Sequence, residues 1–330
     1  MHIHVGLTAL EGDVLDQRHR SWDIARGPGE TLEAAMAMID DLLVANGDSP
    51  LWGIAIGVPG PVDFATGRPV VPPIMPGWDG FDVRGAFERR YGAPAWVDND
   101  VNLLAFSERA RRREQRPDLL YCKVGTGIGV GLLSQGRIHR GANGAAGDIG
   151  HERVRDSEEA CRCGKVGCLE AVAGGWALVR DAEAAMTAGT ATTLRGGDGP
   201  LTAEQIARAA EDGDALAVSL VRSSARTVGA ALASLVNMFN PAVIVLGGAV
   251  GAGAGDVFLA EVRHQIAELA QPLATRDLDV EQSLGDVREP LRGGAEMLRE
   301  QLFDATFARW FTEGRPRLEV LRDRAARISA

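Results

Sequence analysis

The feature that most narrows the fold of this chain is a short run of metal-binding side chains, His151, Cys161, Cys163 and Cys168, in the pattern H-x9-C-x-C-x4-C. Structural zinc takes four ligands in a tetrahedron, commonly three thiolates and an imidazole. Gly164 and Gly167, between the last two cysteines, let the backbone turn tightly around an ion. The sequence shows no basic-then-apolar leader pattern, and clustered cysteines in such a chain point to metal rather than to disulfides. The bland alternative, a set of free thiols on a surface loop, would be prone to oxidation. Four protein ligands leave no open position, so the zinc is expected to be structural. Cys122 stands apart in an apolar stretch and reads as a small buried hydrophobe.

Two carboxylates flank this cluster. Asp148 lies three residues before His151, and Glu170 two residues after Cys168. A metal in the loop would hold both rigidly, as a hydroxyl-binding pocket requires. Asp98-Asn99-Asp100 follows a predicted strand and precedes a predicted helix, so its side chains project from the end of a sheet. A carboxylate there suits a general base acting on an alcohol, and Asn99 offers a donor and an acceptor to a hydroxyl. On spacing alone the same three residues also read as a turn with a helix cap. Gly125-Thr126-Gly127 either cradles a phosphate on its backbone N–H groups or simply turns a hairpin.

The order of elements predicts an α/β fold with helices packed on a mixed sheet. Extended segments are expected at His2–Leu10 and Val14–Ile24 around the turn Glu11-Gly12-Asp13. Thr31 is read as the N-cap of a helix, Leu51–Val58 as a buried strand, and Ala95–Asp98 as a strand leading to a helix over Asn102–Arg112. Leu119–Val124 and Gly129–Leu133 form a hairpin-like pair. Thr202 and Gln205 fit a capping box, Asp214–Asn240 one long amphipathic helix, and Val243–Leu246 a short buried strand before Gly247-Gly248. A helix from about Asp256 to Leu269, a strand around Leu278–Leu284 and a last helix from about Gly293 complete the reading.

Composition excludes some classes of function. The 330 residues carry a formal charge of −10, with 35 basic and 45 acidic groups, so a nucleic-acid backbone offers them no general attraction. The one basic run, Arg315, Arg317, Arg322, Arg324 and Arg327, is interleaved with Glu319 and Asp323 and reads as a solvated helix or frayed terminus. No apolar run approaches a membrane span, and a cytoplasmic location is expected.

Taken together, the motifs resemble the ROK family (repressors, open reading frames and kinases), whose members share the actin-like ATPase, ribonuclease H-like fold. GDIGH at 147–151 with CRCGKVGCLE at 161–170 is the most specific match. PGW at 76–78, VDNDVN at 97–102, VGTGIGVGL at 124–132 and VIVLGG at 243–248 fall in the expected order. The resemblance implies a two-lobed protein: an N-terminal lobe over 1–115, a C-terminal lobe over 116–292 with the zinc motif at 147–170, and a last helix over 293–330 returning to the first lobe. It implies Asp100 as catalytic base and Asn99, Asp100, Asp148, His151 and Glu170 as sugar ligands, His151 binding zinc through its other ring nitrogen. Gly125, Thr126 and Gly127 would form a phosphate loop, with Gly247 and Gly248 beside the nucleotide. A homodimer is the family expectation.

Three departures are visible. Kinases of the family open on a D-x-G-G-T loop after a first strand, and this sequence starts about where that threonine would fall, so both are expected to be missing. Asp148 stands where glutamate is commoner, and Ile74 where the kinases show asparagine. PPIMPGWDG, GDIGH, LATRDL and LFDATFARW look more like the repressor branch. The implied function is therefore the sugar-sensing body of a transcriptional regulator without its winged helix-turn-helix, which alone would touch DNA. The alternative is an ATP-dependent hexose kinase, with ATP and Mg2+ needed only in that case.

Overall fold

The computed structural model describes residues 2–47, 50–112, 116–194 and 199–303. The basic run at 315–327 lies outside the described residues. The chain divides into two compact units, one drawn from Met1–Arg113, Arg140–Ala145 and Val287–Ala330, the other from Glu114–His139 and Ala146–Asp286.

In the first unit, strands β1 (His2–Thr8) and β2 (Val14–Ser21) pair antiparallel, with a register shift between Leu7 and Thr8. Beyond Ser21 the extended segment stops earlier than expected, and Ile24–Arg26 forms a 3-10 turn capped by Asp23. Helix α1 (Pro28–Ala45) begins three residues before Thr31. Proline at a helix start has the required φ and gives up no needed N–H, so Pro28 opens the helix. Thr31 instead lies inside it, donating its hydroxyl to Gly27 O at 2.7 Å and accepting from Trp22 Nε1 at 3.0 Å.

β3 (Ile54–Val58) follows, then the short pair β4 (Val62–Asp63) and β5 (Arg68–Pro69), helix α2 (Val83–Tyr91), β6 (Ala95–Asn99) and helix α3 (Asp100–Arg112). β3 and β6 run parallel, Val58 opposite Asn99. β1–β2 and β3–β6 are separate two-stranded pairs among the described residues. Met75, Trp78, Val83, Phe87 and Val97 fill the core beside β3 and β6, and Ile74 packs against them.

The second unit holds the mixed sheet. β7 (Leu119–Val124), β8 (Ile128–Ser134) and β9 (Arg137–Ile138) form an antiparallel meander. After the metal-binding loop come α4 (Leu169–Ala173), α5 (Gly175–Thr187), α6 (Ala203–Glu211), α7 (Ala215–Phe239), β10 (Val243–Gly247), α8 (Gly248–Gly251), α9 (Gly255–Leu269), α10 (Pro272–Thr275) and β11 (Asp279–Gln282). The strand order is β11-β10-β7-β8-β9, with β10 parallel to both neighbours. A central parallel strand is buried on both faces and needs an unbroken apolar run, which Val243–Leu246 supplies.

The caps act as the sequence suggests. Thr202 and Gln205 form a complete capping box, and Asp214 caps α7 by accepting Ala217 N–H at 2.9 Å. Along α7 the buried residues Val221, Ala225, Val228, Leu232 and Val236 recur at helical spacing and pack against α6 and α9. Asn240 then ends the helix in the left-handed conformation. The last described helix, α11 (Glu289–Phe303), belongs to the first unit and packs on α3, β3 and β1. It starts four residues before Gly293, because Pro290 is tolerated in a first turn. Arg109 of α3 pairs with Glu296 at 2.9 Å and Glu300 at 2.5 Å across that contact.

Candidate functional site

The four predicted metal ligands come together. Ile149–His151 forms a 3-10 turn, and the following chain doubles back through the bridges Arg153↔Cys168 and Ala160↔Val166. Gly164 and Gly167 take φ of 88° and 76°, the left-handed region that suits glycine, so the loop closes as their positions suggest. One ligand atom each from His151, Cys161, Cys163 and Cys168 lies within 4.8 Å of all the others. Cys161 Sγ is 3.7 Å from His151 Nδ1, and Cys163 Sγ 3.7 Å from Cys168 Sγ. A tetrahedron with metal–sulfur bonds of about 2.3 Å has sulfur–sulfur edges of about 3.8 Å, so these atoms could hold a zinc ion.

Electrostatics agrees with that fit. Burial, with hydrogen bonds shared with Cys163 and Cys161, pushes the Cys168 thiol up to about 12. Burial raises Cys161 as well. Cys163 is also penalised by burial, but the Lys165 backbone N–H and the neighbouring thiols bring it below the usual thiol value. A divalent ion at the centre would favour the thiolate form of all three sulfurs. Cys122 is fully buried on β7, and burial pushes it up to about 12, as an inert core thiol should be.

The loop carries polar groups outward on both flanks. The His151 ring turns Nδ1 toward Cys161, while Nε2 lies 4.0 Å from Asp148 Oδ1, and the Asp148 side chain is 40% exposed. Glu170 sits in the first turn of α4. Its Oε2 accepts the Ile128 N–H at 3.1 Å and its Oε1 the Trp176 indole N–H at 3.3 Å. Of the sequence-predicted ligands, Asp148, His151 and Glu170 thus fall in one unit around one loop.

The predicted nucleotide residues also converge. Gly125-Thr126-Gly127 does turn the β7–β8 hairpin, with Gly125 N–H donating to Gly127 O at 2.9 Å. Gly125 O and Thr126 O accept from the first two N–H groups of α5, Gly175 at 2.8 Å and Trp176 at 3.1 Å. Two of the turn's own N–H groups, those of Gly125 and Ile128, are therefore engaged within the protein. A side chain on Gly248 would come within 3.0 Å of Gly125 N, so Gly247-Gly248 abuts the hairpin turn.

In the first unit, Asp98 and Asn99 are structural anchors. Asn99 Oδ1 accepts Val101 N–H at 3.0 Å and caps α3, which leaves its amide group to offer a ligand. Asp98 is buried; its Oδ1 accepts from Asn99 N–H and Asn102 Nδ2, both at 2.8 Å. Its Oδ2 is held by Arg140 Nε at 3.0 Å and a terminal nitrogen at 2.8 Å. The Arg140 guanidinium lies 3.7 Å from the Phe64 ring centroid. Asp100 opens α3 at the carboxyl end of β6. Sequence reasoning missed Arg140 and Trp176. Nothing local marks Arg140, whose partner is 42 positions away, or Trp176, which lies on a different helix from Glu170.

This fold and these motifs define the class: actin-like sugar kinases and the regulators built on the same body. A solved structure of a ROK family transcriptional regulator, a homolog of the Escherichia coli MLC protein, superposes with a TM-score of 0.83 at 26% identity, covering 95% of this chain and 78% of that one. A glucokinase of Halalkalibacterium halodurans is 36% identical over 68% of this chain and 69% of its own length. The N-acetylglucosamine repressor of Escherichia coli is 31% identical over 76% of this chain, which spans 61% of that protein. The ROK family model matches residues 1–301, and the chain belongs to the ROK family. Among the described residues no helix is long and apolar enough to cross a membrane.

Proposed function

We propose that this chain is the sugar-sensing body of a ROK transcriptional regulator, with zinc at His151, Cys161, Cys163 and Cys168. Asn99, Asp100, Asp148, His151 and Glu170 are the proposed partners of the sugar hydroxyls. One observation carries the reading: the metal-binding loop bears Asp148, His151 Nε2 and Glu170 on its flanks. Two carboxylates and a ring nitrogen held on a rigid loop match the mixed donor–acceptor character of vicinal hydroxyls. Zinc would supply rigidity there and no chemistry, since all four positions are taken by protein. The likeness to a solved regulator over 95% of the chain supports the regulatory role. A sugar acts on such a body by binding one conformation better than another.

The test is isothermal titration of the purified protein with D-glucose, N-acetyl-D-glucosamine and a wider panel of hexoses and oligosaccharides, without nucleotide, beside a zinc measurement. Sugar binding without ATP is expected, and silence across the panel overturns the proposal.

A second reading, an ATP-dependent hexose kinase, is favoured by the 36% identity to a glucokinase and by the meeting of the Gly125–Gly127 and Gly247–Gly248 turns. In it Asp100 takes the proton of the attacking hydroxyl, and ATP with magnesium is the phosphoryl donor, its phosphates beside those turns. A coupled ADP-release assay decides: sugar-dependent turnover that disappears in Asp100→Asn replaces the regulator reading with this one.

A further inference from the structure

Glu170 is the predicted sugar ligand with the longest side chain, and its position is fixed at both oxygens. Ile128 N–H holds Oε2 at 3.1 Å, and the Trp176 indole N–H holds Oε1 at 3.3 Å. Two donors on different oxygens fix the plane of a carboxylate, whereas one leaves it free to pivot. Trp176 is the second residue of α5, its backbone N–H tied to Thr126 O at 3.1 Å. Its ring packs on the buried cluster of Cys161, Cys168 and Ala171. Arg162, between two metal-binding cysteines, lies 4.7 Å from the ring centroid, and Arg180 lies 5.5 Å away. Arg180 is itself anchored by Glu159 at 2.6 Å and Ala171 O at 3.2 Å.

We propose that Trp176 is a positioning residue for the Glu170 carboxylate, and that Arg162 steadies the indole from the metal-binding loop. The inference rests on the sugar-binding reading above. The indole spans the loop and the carboxylate: one part of the ring rests on the cysteine cluster, while its N–H sets the angle of Glu170. The loop therefore positions Glu170 twice, once through the chain from Cys168 and once through Trp176. Arg162 adds a cation–π contact, a weak interaction at an exposed site.

The experiment uses the full chain with its metal, D-glucose and N-acetyl-D-glucosamine as probes, and the variants Trp176→Phe and Arg162→Ala. Phenylalanine keeps an aromatic ring and removes the N–H. Trp176→Phe should bind the sugar about tenfold more weakly, the effect of losing a hydrogen bond to a charged group, with metal content unchanged. Arg162→Ala, on an exposed side chain, should weaken binding about threefold. A crystal structure of Trp176→Phe should show Glu170 rotated away from its wild-type orientation. Equal affinity for wild type and Trp176→Phe, or an unmoved Glu170, overturns the proposal while the sugar-binding reading stands. An unaltered affinity in Arg162→Ala removes Arg162 from it. If wild type binds neither these probes nor any sugar of the wider panel, the sugar-binding reading fails and this inference falls with it.

Discussion

Replacing Arg140 by methionine should destabilise the first unit through a single carboxylate. The Asp98 side chain is 3% exposed and that of Arg140 17% exposed. Both hydrogen bonds to Asp98 Oδ2, at 2.8 and 3.0 Å, come from that guanidinium, and the remaining partners, Asn99 N–H and Asn102 Nδ2, both lie on Oδ1. Methionine keeps an unbranched apolar side chain of similar reach and removes the guanidinium, together with its contact to the Phe64 ring. Removing one member of a buried pair costs about 3–5 kcal/mol, because the other charge is left without a partner. For a unit of this size that is a fall in melting temperature of about 10 °C. The double variant Asp98→Asn, Arg140→Met removes the stranded charge and should recover more than half of the loss. Thermal unfolding of the three proteins, followed by circular dichroism, makes the comparison. A loss under about 1 kcal/mol, or a double variant no more stable than Arg140→Met, would refute the claim that a buried charge pair holds the segment around Arg140.

The remaining expectations concern the second unit. Stripping metal with a strong chelator, or changing Cys163→Ser, should release about one zinc per chain and lower the melting temperature, as mass spectrometry and calorimetry would record; full stability with no metal present contradicts a structural ion. Burial alone would raise the Asp214 carboxyl, but hydrogen bonds from Ala217 N–H, Thr193 N–H and the Thr192 and Thr193 hydroxyls outweigh it and hold it down to about 2. Its folded value lies below its unfolded one, so its stabilisation is complete above the unfolded value and is lost as pH falls toward 2. That is worth about 2 kcal/mol, and Asp214→Asn should flatten this part of the stability–pH curve. Gly127→Ala would place a methyl group 2.9 Å from Glu170 Cδ, displacing the carboxylate from the Ile128 N–H. Titration should then show sugar binding weakened about tenfold, with a melting temperature within about 2 °C of wild type.

Legibility followed sequence distance. The metal-binding set lies in one short segment, and its spacing alone placed four ligands that the fold brings within 4.8 Å. The boundaries of α7 were readable because Asp214 and Asn240 carry their capping tendency in their own side chains. Thr31 misled because a threonine before an apolar run is a cap only if nothing upstream can start the helix, and Pro28 could. The β1–β2 pair follows from the turn Glu11-Gly12-Asp13 between two extended segments, but the parallel β3–β6 pair was not legible, since strand pairing between distant segments leaves no mark on local periodicity. Asp98-Asn99-Asp100 was read as either cap or site. The fold gives the cap to Asn99 and a buried ion pair to Asp98, while Asp100 opens α3.

Why one family contains both repressors and kinases has a physical reading in the second unit. The Cys/His loop places Cys168 at the start of α4; two residues on, in the first turn, Glu170 takes the Ile128 N–H at the base of the hairpin. The hairpin's Gly125 and Thr126 carbonyls take the first N–H groups of α5, and Gly248 rests against Gly125. The proposed sugar-binding carboxylate is thus hydrogen-bonded beside the Gly125–Gly127 turn, and the Gly247–Gly248 turn lies against it. A change at either end reaches the other through backbone groups that have few alternative partners. Under the proposed reading, a sugar that engages Glu170 would therefore act on the Ile128 N–H beside that turn. In the kinase reading that link would bear on a phosphoryl donor beside the turn, and in the regulator reading the same link would be open to use as a signal.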